Sequence, residues 1–238
     1  MQHLPTMFYL QRPALPWRPL PALLLALALG RLGCAWAQGG ETPPAAVWLL
    51  AEAVRQSGDA RGHGASGHFG VIDKTGARLW IFSPRGHVLA HSPVLLGQAP
   101  GDVAPPDIGT RPLSRVRAHE KVTPAGRFLT EEGVNHQGED IVWLDYDSAL
   151  SMHRVRNVAG ERRHQRIASG NLADKRISYG CINIPASFFD QHVKPLFGHR
   201  KSMVYILPEE QQAAEVFPFM RAGGTAAPAP PGHAPAAR

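Results

Sequence analysis

Two cysteines occur in the chain, and one of them is placed to do chemistry. Cys181 sits in the run Ile177-Ser178-Tyr179-Gly180-Cys181-Ile182-Asn183-Ile184-Pro185, whereas Cys34 falls in an N-terminal stretch ordered like a cleavable export signal. Once that stretch is removed, Cys181 has no partner for an internal disulfide in a compartment that oxidises thiols. A lone thiol there is either apolar filler or a nucleophile. As a nucleophile it must ionise, and a neighbouring imidazole or helix start can bring a thiol from about 8.5 to about 3.5–7.5. His153 is the histidine that a strand can aim. In Ala149-Leu150-Ser151-Met152-His153-Arg154-Val155, alternation puts Leu150 and Met152 on one face and Ser151, His153 and Val155 on the other. His63, His68, His87 and His233 lie in glycine-rich or turn-like contexts, and His164, in a charged helix-like run, is the alternative partner. Alternation also leaves Cys181 and Asn183 together, opposite Ile182 and Ile184, while Gly180 allows a close approach to the backbone. Backbone N–H groups of Tyr179, Gly180 and Cys181 could then receive an oxyanion, worth roughly 3–4 kcal/mol per donor. The inert alternatives are a partly exposed strand histidine and a buried structural cysteine.

The elements that must position these residues begin with the export reading. Arg12 and Arg18 precede an apolar run from Leu20 to Gly30, and Ala35-Trp36-Ala37 offers small residues for cleavage after Ala37. The apolar run is too short to span a membrane core about 30 Å thick. Lipid attachment at Cys34 is a second reading of Leu32-Gly33-Cys34, with Arg31 where such sites prefer an aliphatic residue. Removing residues 1–37 takes away three arginines and no acid, so the formal charge falls from +6 to +3. Basic residues cluster over Arg111–Arg127 and Arg154–Arg176 without a nucleic-acid motif or interleaved aromatics. They read as a solvated face or as a surface for an acidic polymer.

The remaining chain is long enough for one domain with a sizeable core. A helix opening at Thr42, with Val47, Leu50, Ala51 and Val54 at helical spacing, is followed by a Gly/Ser/His-rich linker over Ser57–Gly67. From His68 the period becomes strand-like: Phe69–Asp73, Arg78–Ser83 and Val88–Gly97 read as an antiparallel meander. Further strands fit Arg127–Thr130, Ile141–Leu144, Leu150–Val155, Ser178–Ile184 and Met203–Leu207. Between Gly97 and Val122 a proline-rich segment is too broken for regular structure and long enough to line a site. A helix over Ser187–Phe197 places Phe188, Phe189, Val193 and Leu196 on one face, with Pro195 bending or ending it. The expected fold is mainly β: a single-domain β-sandwich or barrel with a helix after the cysteine strand and an N-terminal helix. Its expected divisions are a signal peptide over 1–37, helix and linker over 38–67, a catalytic domain over 68–208, and a C-terminal segment over 209–238 whose Ala/Pro-rich tail is disordered from about 222.

Ser178-Tyr179-Gly180-Cys181-Ile182-Asn183, with His153 on an earlier strand, resembles the signature of the L,D-transpeptidase catalytic domain of the YkuD type, H…S-H-G-C-(I/V)-(R/N). Val122-Thr123-Pro124-Ala125-Gly126-Arg127-Phe128 looks like that family's T-P-x-G-x-F element, and the match spans roughly residues 68–208. The resemblance implies a mainly β fold, peptidoglycan remodelling and cell-wall organisation outside the cytoplasmic membrane, with peptidoglycan stem peptides as partners. It assigns Cys181 as nucleophile, His153 as its base and the main-chain carbonyl of Arg154 as the group that orients the imidazole. Ser178, Tyr179, Gly180 and Asn183 would shape the oxyanion site and hold the stem peptide. Tyr179 stands where the family has histidine, Asn183 where many members have arginine, and 27 residues separate His153 from Cys181. The insert Asn157–Lys175 could be a lid. The implied reaction releases D-Ala from a tetrapeptide stem through a thioester that an amine, water or a protein amine resolves. A wall-binding module without turnover and a papain-like hydrolase are the other classes, the last disfavoured because papain-type enzymes place Cys before His. No cofactor and no metal is called for, since no ligand spacing such as C-x-x-C or H-E-x-x-H occurs. No nucleic acid and no membrane span after signal cleavage is expected, and a monomer is the expected state.

Overall fold

The computed structural model describes residues 41–222, so the export signal, Cys34 and the Ala/Pro-rich tail lie outside the described residues. The domain is mainly β, as the strand-like periods require. Strands β1 (Phe69–Asp73), β2 (Arg78–Phe82) and β3 (Val88–Pro93) form the expected meander, and β4 (Leu96–Gly97) follows. After the proline-rich segment come β5 (Gly126–Leu129), β6 (Glu131–Val134), β7 (Asp140–Asp145) and β8 (Leu150–Arg154). The second half adds β9 (Arg176–Ser178), β10 (Ile182–Ile184) and β11 (Met203–Ile206). They build a five-stranded sheet in the order β3-β2-β1-β11-β5, a four-stranded sheet β10-β8-β7-β6 and the small pair β4-β9. Three strand pairings are parallel, β1 with β11, β8 with β10 and β4 with β9, because the chain reaches the second strand of each pair through a long crossover.

The five-stranded sheet is the central layer. Ile72, Leu79, Ile81, Val204 and Ile206 on one face meet Val142, Leu150, Met152, Ile182 and Ile184 of the four-stranded sheet in the main core. Phe69, Val71, Trp80, Phe82 and Tyr205 on the other face are covered by helix α1 (Ala45–Ser57) and the C-terminal Phe217. A sheet covered on both faces needs apolar side chains at nearly every position, which is why β1, β2 and β11 read as continuous apolar runs. Helix α1 buries Val47, Leu50, Ala51 and Val54, the face that its spacing predicts. Each fully buried Val or Leu contributes about 1.5–3 kcal/mol. The helix starts at Ala45 rather than Thr42, since Pro44 forces the residue before it into extended backbone. Gly58 in the left-handed region ends it by donating its N–H to the Val54 carbonyl.

Several boundaries differ from the sequence expectation. The stretch Ser57–Gly67 is not a free linker: Ala60 is buried, and Asp59 accepts hydrogen bonds from Tyr205 Oη and Arg127 Nε, both at 2.6 Å. Strand β6 has no apolar alternation because it is an acidic edge strand, paired only with β7. Residues after β11 are not merely a trailing segment, since short helices at Ala213–Val216 and Phe219–Ala222 carry the fully buried Phe217 between them. The helix after the cysteine strand begins at Ala186 and widens into π-type turns over Phe189–Gly198, with Pro195 inside. Widened turns carry the buried stripe from Val193 to Phe197 in place of Leu196. No helix among the described residues is long and apolar enough to cross a membrane.

Candidate active site

The cysteine run is not one strand. Strand β9 ends at Ser178, Tyr179-Gly180-Cys181 turn, and β10 resumes at Ile182. Two local features force the break. Ser178 Oγ accepts the Gly180 N–H at 3.1 Å and donates to the Cys181 carbonyl at 2.7 Å, closing a side-chain-stapled turn. Gly180 adopts φ +139°, and a Cβ there would lie 2.8 Å from the Val122 carbonyl oxygen, so this position must be glycine. Segment Val122–Thr123, which opens the T-P-x-G element, thus straps directly across the turn.

Beyond the turn, β10 runs parallel to β8 with Ile182 beside Met152, Asn183 beside His153 and Ile184 beside Arg154. Met152, Ile182 and Ile184 point into the main core, so the opposite face of the paired strands carries Ser151, His153, Cys181 and Asn183. Ser151 Oγ donates to Cys181 Sγ at 3.5 Å, and the thiol donates to the Ala149 carbonyl at 3.2 Å. Ala149 reaches that position by adopting φ +50°, at the end of the tight turn that Asp145 stabilises through the Asp147 and Ser148 N–H groups.

Cys181 is half-buried. Burial pushes its pKa up, but a hydrogen bond and the charge of His153, with smaller help from the Ser151 hydroxyl and N–H, bring it below the ordinary thiol value. On the far side of the ring, His153 Nδ1 lies 2.8 Å from the Arg154 carbonyl. A carbonyl can only accept, so Nδ1 carries a proton, and Nε2 is the nitrogen left to exchange a proton with the sulfur. The Arg154 side chain turns elsewhere, to Asp190 through Nε at 2.9 Å and over the Phe189 ring at 4.6 Å. These contacts hold the end of β8 against the helix that follows β10. His164 is exposed on the short helix α2 (Arg163–Ala168) and is not among the groups that perturb the thiol.

The other residues assigned by the resemblance fall into two groups. Tyr179 is 37 % exposed, and its ring lies under the Lys121 ammonium at 4.0 Å from the centroid. Ser178, Gly180 and Asn183 are buried and act on the backbone. For Asn183 this corrects a substrate-holding role. It is fully buried, its Oδ1 accepts from Arg163 Nη1 at 2.9 Å and its Nδ2 donates to the Cys181 carbonyl at 3.2 Å, leaving no surface for a peptide. The insert Asn157–Lys175 supplies that arginine and is a packed element. Ile167 joins Leu95, Val155 and Ile177 in a small core, and the buried Lys175 ammonium takes the Arg166, Ile167 and Ser169 carbonyls at the end of α2.

Residues that sequence reasoning left without a role complete the site. Ser151 stands two positions before His153 on the same strand face, so alternation already placed it there. Thr123, fully buried, donates its hydroxyl to the Gly180 carbonyl at 2.7 Å and accepts the Gly97 N–H at 2.8 Å. Gly180's own N–H is taken by Ser178, while among the described residues no acceptor takes the Tyr179 or Cys181 N–H. The arrangement offers an activated sulfur, a base of fixed tautomer and free main-chain donors beside it, which are the parts that acyl transfer to a thiol needs.

No protein-family model and no curated protein matches the chain. Among solved structures, it is similar to an L,D-transpeptidase from Mycobacterium smegmatis, at 16 % identity over 58 % of this chain and 58 % of that one, with a TM-score of 0.36. It is also similar to a helical cell shape determining protein from Campylobacter jejuni, at 12 % identity over 71 % of this chain and 58 % of that one, with a TM-score of 0.39. A third similarity is to a fused Zn-dependent amidase/peptidase/peptidoglycan-binding domain-containing protein from Clostridium acetobutylicum, at 12 % identity over 71 % of this chain and 65 % of that one, with a TM-score of 0.34. The chain thus spans less than two thirds of the length of each of these proteins. The chemistry open to Cys181 rests on the distances above.

Proposed function

We propose that the protein is an exported cysteine acyltransferase that remodels peptidoglycan, an L,D-transpeptidase. The observation that carries the reading is that Cys181 and His153 share one face of the parallel β8–β10 pair, with His153 Nδ1 held on the Arg154 carbonyl, read together with the S-Y-G-C-I-N signature. The Cys181 thiolate attacks the carbonyl that joins the third residue of a tetrapeptide stem to its terminal D-Ala. The oxyanion forms against the Cys181 and Tyr179 N–H groups. As the C–N bond breaks, the His153 imidazolium gives its proton to the departing D-Ala amine and a thioester remains. An acceptor amine then attacks the thioester, loses its proton to His153 Nε2 and expels the sulfur. Water in place of the amine makes the same site an L,D-carboxypeptidase.

Incubation of the mature protein with a disaccharide tetrapeptide, followed by mass spectrometry, tests the proposal. Release of D-Ala with an acyl adduct on Cys181, both lost in Cys181→Ala, is the expected result. Neither product from folded protein with reduced Cys181 would leave a wall-binding module, and activity surviving Cys181→Ala would move the nucleophile elsewhere.

A further inference from the structure

We infer that Thr123 is a positioning residue that aims the Cys181 N–H at the reacting carbonyl. The Gly180 carbonyl and the Cys181 N–H belong to one peptide unit. That unit is trans, as are all the peptide bonds among the described residues, so the two groups point in opposite directions across a rigid plane. Gripping the oxygen therefore fixes the direction of the N–H. Thr123 Oγ1 grips it at 2.7 Å. The direction of that bond is settled by the second contact, because the Gly97 N–H can only donate to Oγ1, at 2.8 Å, which leaves the hydroxyl proton for the Gly180 oxygen.

The grip is needed because Gly180 has no side chain to restrain its own backbone, and the Val122 carbonyl occupies the place where one would stand. Thr123 is itself immobilised from behind. Its main-chain oxygen accepts from the buried Lys74 ammonium at 3.1 Å, and Lys74 is anchored on the Gly101 carbonyl at 2.5 Å and on Asp102 at 2.6 Å. A hydroxyl donating to the carbonyl end of an amide also polarises it, which strengthens the N–H as a donor. Thr123 touches neither the sulfur nor a substrate, and its effect passes wholly through one peptide plane.

The inference rests on the reading of Cys181 as a nucleophile that is acylated, and the test is chosen to be independent of the natural substrate. With p-nitrophenyl acetate the thiolate attacks the ester carbonyl through a tetrahedral oxyanion, p-nitrophenolate leaves and an acetyl thioester forms. With iodoacetamide the thiolate displaces iodide at a saturated carbon and no oxyanion arises. In the full mature chain, Thr123→Val is expected to slow acetylation by about 10- to 100-fold, a part of what removal of a whole oxyanion donor costs. Its alkylation rate and the pH profile of that rate stay within about twofold of wild type, since the thiolate is unchanged. Thr123→Ser restores acetylation. Thr123→Ala, which also lacks the donor and is smaller than valine, carries the test should the valine variant not fold. Equal slowing of both reactions, slowing of neither, or no rescue by serine overturns the inference. So does a wild-type thiol that alkylates but does not take the acetyl group. Failure to process a stem peptide would instead sink the proposed function and leave the ester comparison standing.

Discussion

Replacing Asp102 with asparagine tests whether the buried ion pair behind the Thr123 strap holds this part of the fold together. Asp102 accepts from Lys74 Nζ at 2.6 Å and from the N–H groups of Glu209, Glu210 and Gln211 at 2.9, 2.9 and 2.7 Å. Burial raises its pKa, but the Lys74 ammonium and the three N–H groups more than offset this, and the carboxyl is held at about 2 against an ordinary 3.8. Each decade of proton affinity is worth 1.36 kcal/mol, so ionised Asp102 contributes about 2.5 kcal/mol. The folded-state value lies below the unfolded one. The contribution is therefore complete above about pH 5 and is lost as pH falls through the folded value, with about 2 kcal/mol gone by pH 2. Asparagine cannot serve four donors, and its amide nitrogen must face two of them, either Lys74 and the Glu209 N–H or the Glu210 and Gln211 N–H groups. Lys74 keeps the Gly101 and Thr123 carbonyls and Glu209 at 3.5 Å, which tempers the 3–5 kcal/mol typical of a broken buried pair. At pH 7 the expected loss is about 3 kcal/mol, within the 5–15 kcal/mol stability of an ordinary domain, so the variant still folds. Urea unfolding of both chains between pH 7 and pH 2 measures it. The gap should narrow from about 3 to about 1 kcal/mol as wild-type Asp102 protonates. A gap under about 1 kcal/mol at pH 7, or one that does not change with pH, would refute the reasoning.

Three further outcomes follow from the site. His153→Gln removes the chief group holding the Cys181 thiol down, leaving burial opposed only by Ser151, so the midpoint of iodoacetamide alkylation against pH should rise; an unmoved midpoint would assign the activation elsewhere. Gly180→Ala sets a methyl 2.8 Å from the Val122 oxygen at φ +139°, and thermal unfolding should report a loss of about 1–3 kcal/mol; a variant melting with wild type would contradict the strap. Arg163→Met leaves the buried Asn183 Oδ1 without its donor at a cost of about 1–3 kcal/mol, and hydrogen exchange should rise over residues 157–175 first, whereas unchanged protection there would mean that the insert is held by Ile167 and Lys175 alone.

The chain's local patterns carried much of this structure. Strands β1, β2, β3, β7, β8 and β11 and helix α1 fall within a few residues of their periodic runs, because a period of two or 3.6 is written into consecutive side chains. Alternation alone put Ser151 with His153 and Cys181 with Asn183, and the candidate sulfur and ring were legible from type and context. Other features were out of reach. Strand β6 and the helices around Phe217 have short or acidic patterns that acquire meaning only against a neighbour.

What the sequence determined by itself was the set of faces, and what the tertiary structure alone decided was which faces meet. The parallel pairing of β8 with β10 places Ser151 beside Cys181 across 30 positions, and the T-P-x-G strap sets Thr123 on Gly180 across 57. Neither contact leaves a local trace, since a hydrogen bond between distant backbone segments depends on the register of everything between them. Burial likewise turned Asn183 from a candidate substrate contact into a brace for Arg163, because the insert folds over it. A polar residue looks the same in sequence whether solvent or an arginine will satisfy it, and only packing chooses between them.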